Sequence, residues 1–579
     1  MGSITTVDKK WWKSGVVYQI YPSSFNDSNG DGIGDIPGII EKLDYIKDLG
    51  IDIVWLSPMY DSPQIDMGYD ISDYEAIYPP YGTLQDMERL IQECHARGMK
   101  MMLDLVINHT SDMHAWFKES RSSKTNPKRD WYVWRPARYD ADGQRRPPNN
   151  WRSNFGGGSA WEWDPVTEEY YLHLFAKEQP DVNWENPETR KALYASSMEF
   201  WLDRGVDGFR IDTVNMYSKP EGYPDAPILD DASDWQPAYS LYCNGPRMHE
   251  YLGEMNEILS RYGAITVGEL PHTPDTAKVL KYVSAKAKQL DMVFQFDVCD
   301  VGFGTTHKFA TVPRSWKLPD FKAAVERTQV LIKGTDAWTT VFIENHDQAR
   351  SISRFACDSP AQRVASGKLL AVLETTLSGT LFVYQGQEIG MVNAPAESYP
   401  VTEYRDIESL GFYDLIASRT GNDPTALATA FAAMQHLARD HARVPVSWDG
   451  KLPNAGFSTA DRSWMKPHPR SGEVDVASQV GDDKSVLAFW KKMLRFRKEH
   501  EDGLVYGEFD LLSADDPDLF TYNKTAHDGR RYVVVLNFAG MKKVWRSEQS
   551  ARMLLSTVEG KEDGDLLSAY EGRVYVIDA

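Results

Sequence analysis

Val206-Asp207-Gly208-Phe209-Arg210-Ile211-Asp212 is an apolar run that closes on an Arg-x-Asp pair. It reads as a buried strand whose charged end projects from the strand's C-terminal edge, where a parallel barrel keeps its chemistry. Residues two apart share a strand face, so Arg210 lies beside Asp212 and favours its ionised, nucleophilic form. By themselves the seven residues read best as a structural ion pair, and the rest of the chain decides between the two readings.

Outward from this stretch, seven more apolar, β-rich runs recur, each followed by a helix-like segment: Val16–Tyr21, Ile51–Leu56, Met101–Val106, Ala264–Val267, Met292–Phe296, Thr340–Ile343 and Leu381–Tyr384. With Val206–Ile211 they make eight, the number that closes a (β/α)8 TIM barrel, so the fold class is α/β. The spacing predicts helices over Ile36–Leu49, which stops at Gly50, and over Leu84–Arg97, Pro187–Arg204, Met248–Tyr262 and Pro360–Leu377.

The length of 579 residues allows about three to four domains. An insertion after the third strand, residues 111–185, is rich in Trp, Pro, Asn and Gly, and is too long for a structureless loop; it predicts a subdomain over the barrel mouth. The barrel then occupies 1–110 and 186–508. From 509 to 579 the pattern changes to short alternating strands such as Tyr532–Asn537 and Arg573–Ile577, which predict a C-terminal antiparallel β-sandwich.

The formal charge of −21 disfavours nucleic acid or an anionic membrane as a partner and suits a neutral substrate. Aromatics make up 12% of the chain, with 18 Trp, which fits stacking on sugar faces as well as core packing. Cys94, Cys243, Cys299 and Cys357 lack metal-ligand spacing and read as reduced structural thiols. No apolar run is long enough to span a bilayer and the start of the chain has no signal-like core, so a soluble, cytoplasmic protein is expected. Met1-Gly2 followed by Thr6 matches the myristoylation pattern, a motif short enough to recur by chance. Sequons at Asn26, Asn108 and Asn523 are equally weak signals.

Three carboxylates follow three different strands: Asp212 after the fourth, Glu269 after the fifth and Asp347 after the seventh. A barrel brings these ends to one face. Two carboxylates in different environments are what glycoside hydrolysis requires, about 5–5.5 Å apart if configuration is retained, and a third can hold the sugar's hydroxyls.

The stretches Asp104-Leu105-Val106-Ile107-Asn108-His109, Gly208–Asp212, Val267-Gly268-Glu269 and Glu344-Asn345-His346-Asp347 resemble the four signature regions of the α-amylase family of glycoside hydrolases. Gln179-Pro180-Asp181-Val182-Asn183-Trp184 resembles the fifth, which marks the oligo-1,6-glucosidase and α-glucosidase branch. Trp12-Lys13, Val17–Pro22, Ser120–Trp131 and Arg439-Asp440-His441-Ala442-Arg443 are most similar to fungal and yeast maltases and isomaltases. The resemblance implies Asp212 as nucleophile, Glu269 as general acid/base and Asp347 as the residue that binds and distorts the glucosyl ring. It also implies Asp66, Tyr69, His109, Phe155, Phe175, Arg210, Thr213, His346 and Arg439 around the substrate, with Asp66 and Arg439 closing the pocket behind the terminal glucose. The implied activity is exo-hydrolysis of small oligosaccharides with no organic cofactor.

The loop Asp27-Ser28-Asn29-Gly30-Asp31-Gly32-Ile33-Gly34-Asp35 has oxygen ligands at alternate positions, as loops that wrap Ca²⁺ do. Its twelfth position is Gly38, where an EF-hand carries Glu. The resemblance places a structural Ca²⁺ here, held by Asp27, Asn29, Asp31, the Ile33 carbonyl and Asp35. The residue after the nucleophile is Thr213; yeast-type relatives favouring α-1,4 bonds tend to have Thr there and those favouring α-1,6 bonds Val. Val214-Asn215 and Val446-Ser447 depart from the Ala-Gly and Met-Gln of the maltases, and Asn215 becomes a candidate contact to a second sugar, with transglycosylation as the consequence. Rival readings are an isomaltase or transglucosylase, a non-catalytic amylase-like relative such as the heavy subunits of amino-acid transporters, and a lectin-like sugar-binding protein.

Overall fold

A computed structural model describes residues 8–547, 549–560 and 564–577. The Met1-Gly2 motif lies outside the described residues. Eight parallel strands form one sheet: β1 (Val16–Ile20), β2 (Ile53–Leu56), β3 (Lys100–Leu105), β4 (Gly208–Ile211), β5 (Ile265–Leu270), β6 (Met292–Gln295), β7 (Thr340–Val341) and β8 (Thr380–Tyr384), in the order β6-β5-β4-β3-β2-β1-β8-β7. Across the β6–β7 seam, the Thr340 hydroxyl donates to the Val293 carbonyl and the Thr339 hydroxyl to Gln295 Oε1. Alternation along each strand divides the core in two. Val17, Ile53, Trp55, Met102, Val267, Met292 and Phe294 fill the barrel interior, while Val16, Tyr18, Val54, Met101 and Leu103 face the surrounding helices.

The helices start where local chemistry satisfies their free N–H groups. Thr83 and Asp86 form a reciprocal capping box at the helix Leu84–Ala96, and Asp35 accepts from the Gly38 N–H at the helix Ile36–Glu41. The single helix expected over Ile36–Leu49 is two, Ile36–Glu41 and Leu43–Leu49, because the chain tightens at Lys42, whose N–H bonds back to Ile39. Gly50 ends the second at φ 107°, a left-handed cap that suits glycine. The stretch expected as one helix from Pro187 widens into a π-helical segment at Tyr194–Glu199.

Between β3 and β4 lie the helix Ala115–Ser122 and a three-stranded antiparallel sheet of Trp134–Arg135, Glu169–Leu172 and Trp161–Asp164. Arg129 is built into this region: its guanidinium stacks on Trp134 and pairs with Glu169 at 2.6 Å. The segment after β4 joins the same cluster, through Met216, Ala226 and Ala238 packed with Trp151 and Trp161. At the C-terminus a five-stranded antiparallel sheet runs Glu508–Leu511, Leu519–Thr525, Arg531–Asn537, Gly572–Ile577 and Arg552–Ser556 in spatial order, with a two-stranded ribbon, Lys543–Val544 and Leu566–Leu567, as the second layer. All four cysteines are free thiols. Asn26 and Asn108 are buried, so neither sequon is open to a glycan. Among the described residues no helix is long and apolar enough to cross a membrane.

Candidate active site

Arg210 pairs in register with Asp104 on β3 and Val267 on β5, so its side chain enters the barrel mouth between both neighbours. It is buried, and it serves three carboxylates: Nη1 meets Asp104 Oδ1 at 2.7 Å and Asp212 Oδ1 at 2.8 Å, while Nη2 meets Glu269 Oε1 at 2.7 Å. Glu269 lies within β5, which continues to Leu270 beyond its expected end. Thr213 bridges the same pair from the other side. Its hydroxyl donates to Asp212 Oδ2 and its backbone N–H to Glu269 Oε2, each at 3.2 Å. That double reach needs φ 40°, a left-handed conformation that a β-branched residue adopts only under strain of about 1–3 kcal/mol. Asp212 and Glu269 are therefore held to each other through two bridges.

Burial raises both carboxyls, Glu269 to about 8 and Asp212 to about 6, with Arg210 opposing the rise and neighbouring acids adding to it. Glu269 is raised further than Asp212, and the two titrate as a pair.

Asp347 lies on the loop after β7, which is two residues long where four were expected. The turn is set by Asn345, whose side chain accepts the Asp347 N–H. Burial opposes ionisation of Asp347, but the guanidiniums of Arg439 and Arg443, at 3.0 and 2.9 Å, hold it far below the usual carboxylate range. Arg439 also pairs with Asp66 at 3.2 Å, and its guanidinium lies 5.1 Å from the Phe155 ring centre. Burial keeps His346 neutral, down at about 3. Gln19 donates to its Nδ1 at 2.8 Å, leaving Nε2–H for the Tyr69 hydroxyl at 2.6 Å. Tyr69 in turn donates to Asp104 Oδ2. A continuous polar network thus joins the Asp347 cluster to the Asp212–Glu269 pair. His109, also kept neutral by burial at about 4, donates to the Tyr69 carbonyl and lies 5.1 Å from the Phe175 ring, which meets Phe155 at 5.7 Å.

The named candidates converge at one barrel end, and the network contains groups outside that set. Asp104, Gln179 and Arg443 lie inside stretches that sequence reading singled out. Gln179 donates to Asp66 Oδ2, and Asp406 is shared by Arg439 and Arg443. Asp406 carries no sequence signal. Asn215 takes a different place from the one expected. It is fully buried, and its amide donates to the Pro271 carbonyl and Thr273 hydroxyl, so it braces the segment after β5 instead of meeting a sugar.

In the Asp27–Asp35 loop, Asp27 accepts backbone N–H groups from Asn29, Gly30 and Gly32, while Asp35 accepts from Ser28 and Gly38. Gly30 and Gly32 take φ of 79° and 92°, which lets the chain coil around these oxygens. The donors are hard oxygens suited to Ca²⁺. Among the described residues no three acidic, His or Cys side chains form a metal cluster, so an ion here needs the Asn29 amide and Ile33 carbonyl as well.

An eight-stranded barrel that gathers a buried pair of carboxylates on one arginine, with a third carboxylate held by two more arginines beside it, has the arrangement of a barrel glycoside hydrolase. Residues 19–507 match the model of the α-amylase catalytic domain, and the chain belongs to that family. It is 51% identical to an α-glucosidase of Candida albicans, over 99% of this chain and 100% of the relative. It is 47% identical to oligo-1,6-glucosidase IMA2 of Saccharomyces cerevisiae, over 98% of each. The solved isomaltulose synthase of Erwinia rhapontici superposes with a TM-score of 0.91 at 37% identity, covering 99% of this chain and 100% of that one.

Proposed function

We propose that the protein is a retaining, exo-acting α-glucosidase that releases glucose from the non-reducing ends of maltose and short oligosaccharides. The observation that carries this reading is the double bridge between Asp212 and Glu269. One guanidinium and one residue spanning both groups suit the short separation of a retaining pair, about 5–5.5 Å, better than the about 6.5–9.5 Å of an inverting pair. Asp212 attacks C1 of the terminal glucosyl unit as the C1–O bond breaks, and the Glu269 proton passes to the leaving oxygen. Water then attacks C1 of the glucosyl ester, Glu269 takes its proton, and α-glucose leaves with Asp212 restored.

Asp347, Asp66 and Arg439 supply the hydroxyl contacts and close the pocket behind the glucosyl unit, which supports action at chain ends. Tyr69, His109, His346, Phe155 and Phe175 give it walls. Thr213 supports a preference for α-1,4 bonds. The second reading is an oligo-1,6-glucosidase, favoured by the 47% identity to IMA2, which lies close to the 51% to the α-glucosidase. Ca²⁺ is proposed as a structural ion of the Asp27–Asp35 loop, taking no part in the bond change. The four free thiols support a reducing, intracellular location. Asp212→Asn and Glu269→Gln should each lower kcat on maltose by at least about 10²–10⁴-fold with the circular dichroism spectrum unchanged. Near-normal turnover in either variant contradicts the assignment.

A further inference from the structure

The helix Ile407–Thr420 starts beside the Asp347 cluster and meets the pocket at two levels. Its N-cap, Asp406, is buried and divides its carboxylate between two tasks. Oδ2 accepts the Ser409 N–H at 3.1 Å and so caps the helix. Oδ1 takes the arginines: Arg439 through Nε at 2.8 Å and through Nη2, and Arg443 through Nη1 at 3.2 Å.

The other edges of the same two guanidiniums carry Asp347. Arg439 Nη1 and Arg443 Nη2 both donate to Asp347 Oδ1, at 3.0 and 2.9 Å, and Arg439 Nη2 also meets Asp66 at 3.2 Å. A guanidinium is a rigid planar fork, so anchoring one edge fixes the direction of the other. Asp406 is that anchor for both arginines. The backbone that carries it is pinned from the arginine side, because Asp440, next in sequence to Arg439, accepts the N–H groups of Arg405 and Asp406 at 2.7 and 3.0 Å.

Further along the helix, Gly411 and Leu415 lie four residues apart on one face and support the loop 153–159. Gly156 and Gly157 take φ of 72° and 69° there, which lets the loop backbone lie directly on the helix. A methyl group at position 411 would stand 2.9 Å from the Gly156 Cα and 3.0 Å from its nitrogen, a clash that only a shift of backbone relieves. The loop carries Phe155, whose ring lies 5.1 Å from the Arg439 guanidinium and 5.7 Å from Phe175. One helix therefore underlies both the arginine clamp and an aromatic wall. We propose that the helix Ile407–Thr420 sets the shape of the glucosyl pocket, with Asp406 as the positioning residue for Arg439 and Arg443, and Gly411 as the seat of the Phe155 loop. Neither residue needs to touch the sugar.

The proposal rests on the α-glucosidase reading, and the experiment separates the two. Asp406→Asn keeps an oxygen for the Ser409 N–H and removes the charge that anchors the arginines. Its kcat/KM on an aryl α-glucoside should fall by about ten- to hundredfold with the circular dichroism spectrum unchanged, the scale of a misplaced binding group. On an Arg439→Lys background the same substitution should cost at least about threefold less, because members of one network are not additive. A residue that only supports the fold costs the same in both. Gly411→Ala favours the helix itself, so any loss comes from the displaced loop. Its KM should rise at least about fivefold with kcat within about twofold, as when a contact made equally in ground and transition states is lost. Ser418→Ala, exposed on the same helix, should match the unaltered protein. Undiminished kcat/KM in Asp406→Asn, equal losses in the two backgrounds, or an unchanged KM in Gly411→Ala each overturn the proposal. Gly411→Ala keeps the test standing even if Asp406→Asn does not fold. Absence of aryl-glucoside hydrolysis by the unaltered protein contradicts the glucosidase reading instead.

Discussion

At the scale of single residues, Arg210 and Thr213 hold two carboxylates between them. In the proposed mechanism Asp212 must be ionised to attack and Glu269 protonated to assist departure. Activity therefore rises as pH passes upward through the value of Asp212, near 6, and falls through that of Glu269, near 8. A bell-shaped kcat/KM profile on maltose with limbs near those values is the expected outcome, the two limbs belonging to the pair as a unit; a profile flat from pH 5 to 9 contradicts it. Thr213→Val removes the hydroxyl that stabilises ionised Asp212. A hydrogen bond to a charged group contributes about 1.5–3 kcal/mol, so the acid limb should move up by roughly one to two pH units. The ratio of kcat/KM on maltose to that on isomaltose should fall in the same variant, and an unchanged ratio removes Thr213 from the linkage argument. Asp212, Glu269 and Asp347 were legible because each ends a strand-like run within a recognisable motif. Asp406 was not, since a buried partner acid looks like any other acid until its arginines are placed. Asn215 was misread because a polar residue beside a nucleophile suggests a ligand contact, whereas burial turns it onto Pro271 and Thr273.

At the scale of elements, the strands were more legible than their ends. Apolar, β-rich runs located all eight, yet β5 runs on through Glu269 and β7 shrinks to two residues, because ladder pairing with neighbours sets a strand's length and the run itself does not. Helix breaks at Lys42 and in the π-helical stretch at Tyr194–Glu199 were invisible for the same reason: tertiary packing overrides a helical pattern. The Asp27–Asp35 loop is the element whose chemistry is easiest to test. Its Asp27 carboxylate already gathers three backbone N–H groups, so the loop holds part of its shape alone, and a bound ion adds to that. If Ca²⁺ binds there, EGTA should lower the Tm of the purified protein and excess CaCl₂ restore it, since a ligand of the folded state stabilises by mass action. A Tm insensitive to both argues that the loop is self-sufficient.

At the scale of the whole molecule, the barrel and the C-terminal sheet share one apolar core, in which Leu369, Leu370 and Val372 meet Phe520, Val534 and Val574. Buried cations tie the same boundary: Lys322 Nζ donates to the Leu519 carbonyl and Lys524 Nζ to that of Gly507. The alternation of apolar runs and the change of pattern after residue 508 made this architecture readable. The cations that join its parts were not, because a lysine at a buried boundary has the same sequence signature as one in water. What the whole fold accomplishes is to bring Asp212, Glu269 and Asp347 from three distant stretches to one barrel end, where double displacement is the chemistry their arrangement supports. The stereochemistry of the first product tests that claim most directly. Early-time proton NMR of maltose hydrolysis should show α-glucose released first and converting to the equilibrium mixture by mutarotation, whereas β-glucose appearing first would contradict a retaining mechanism.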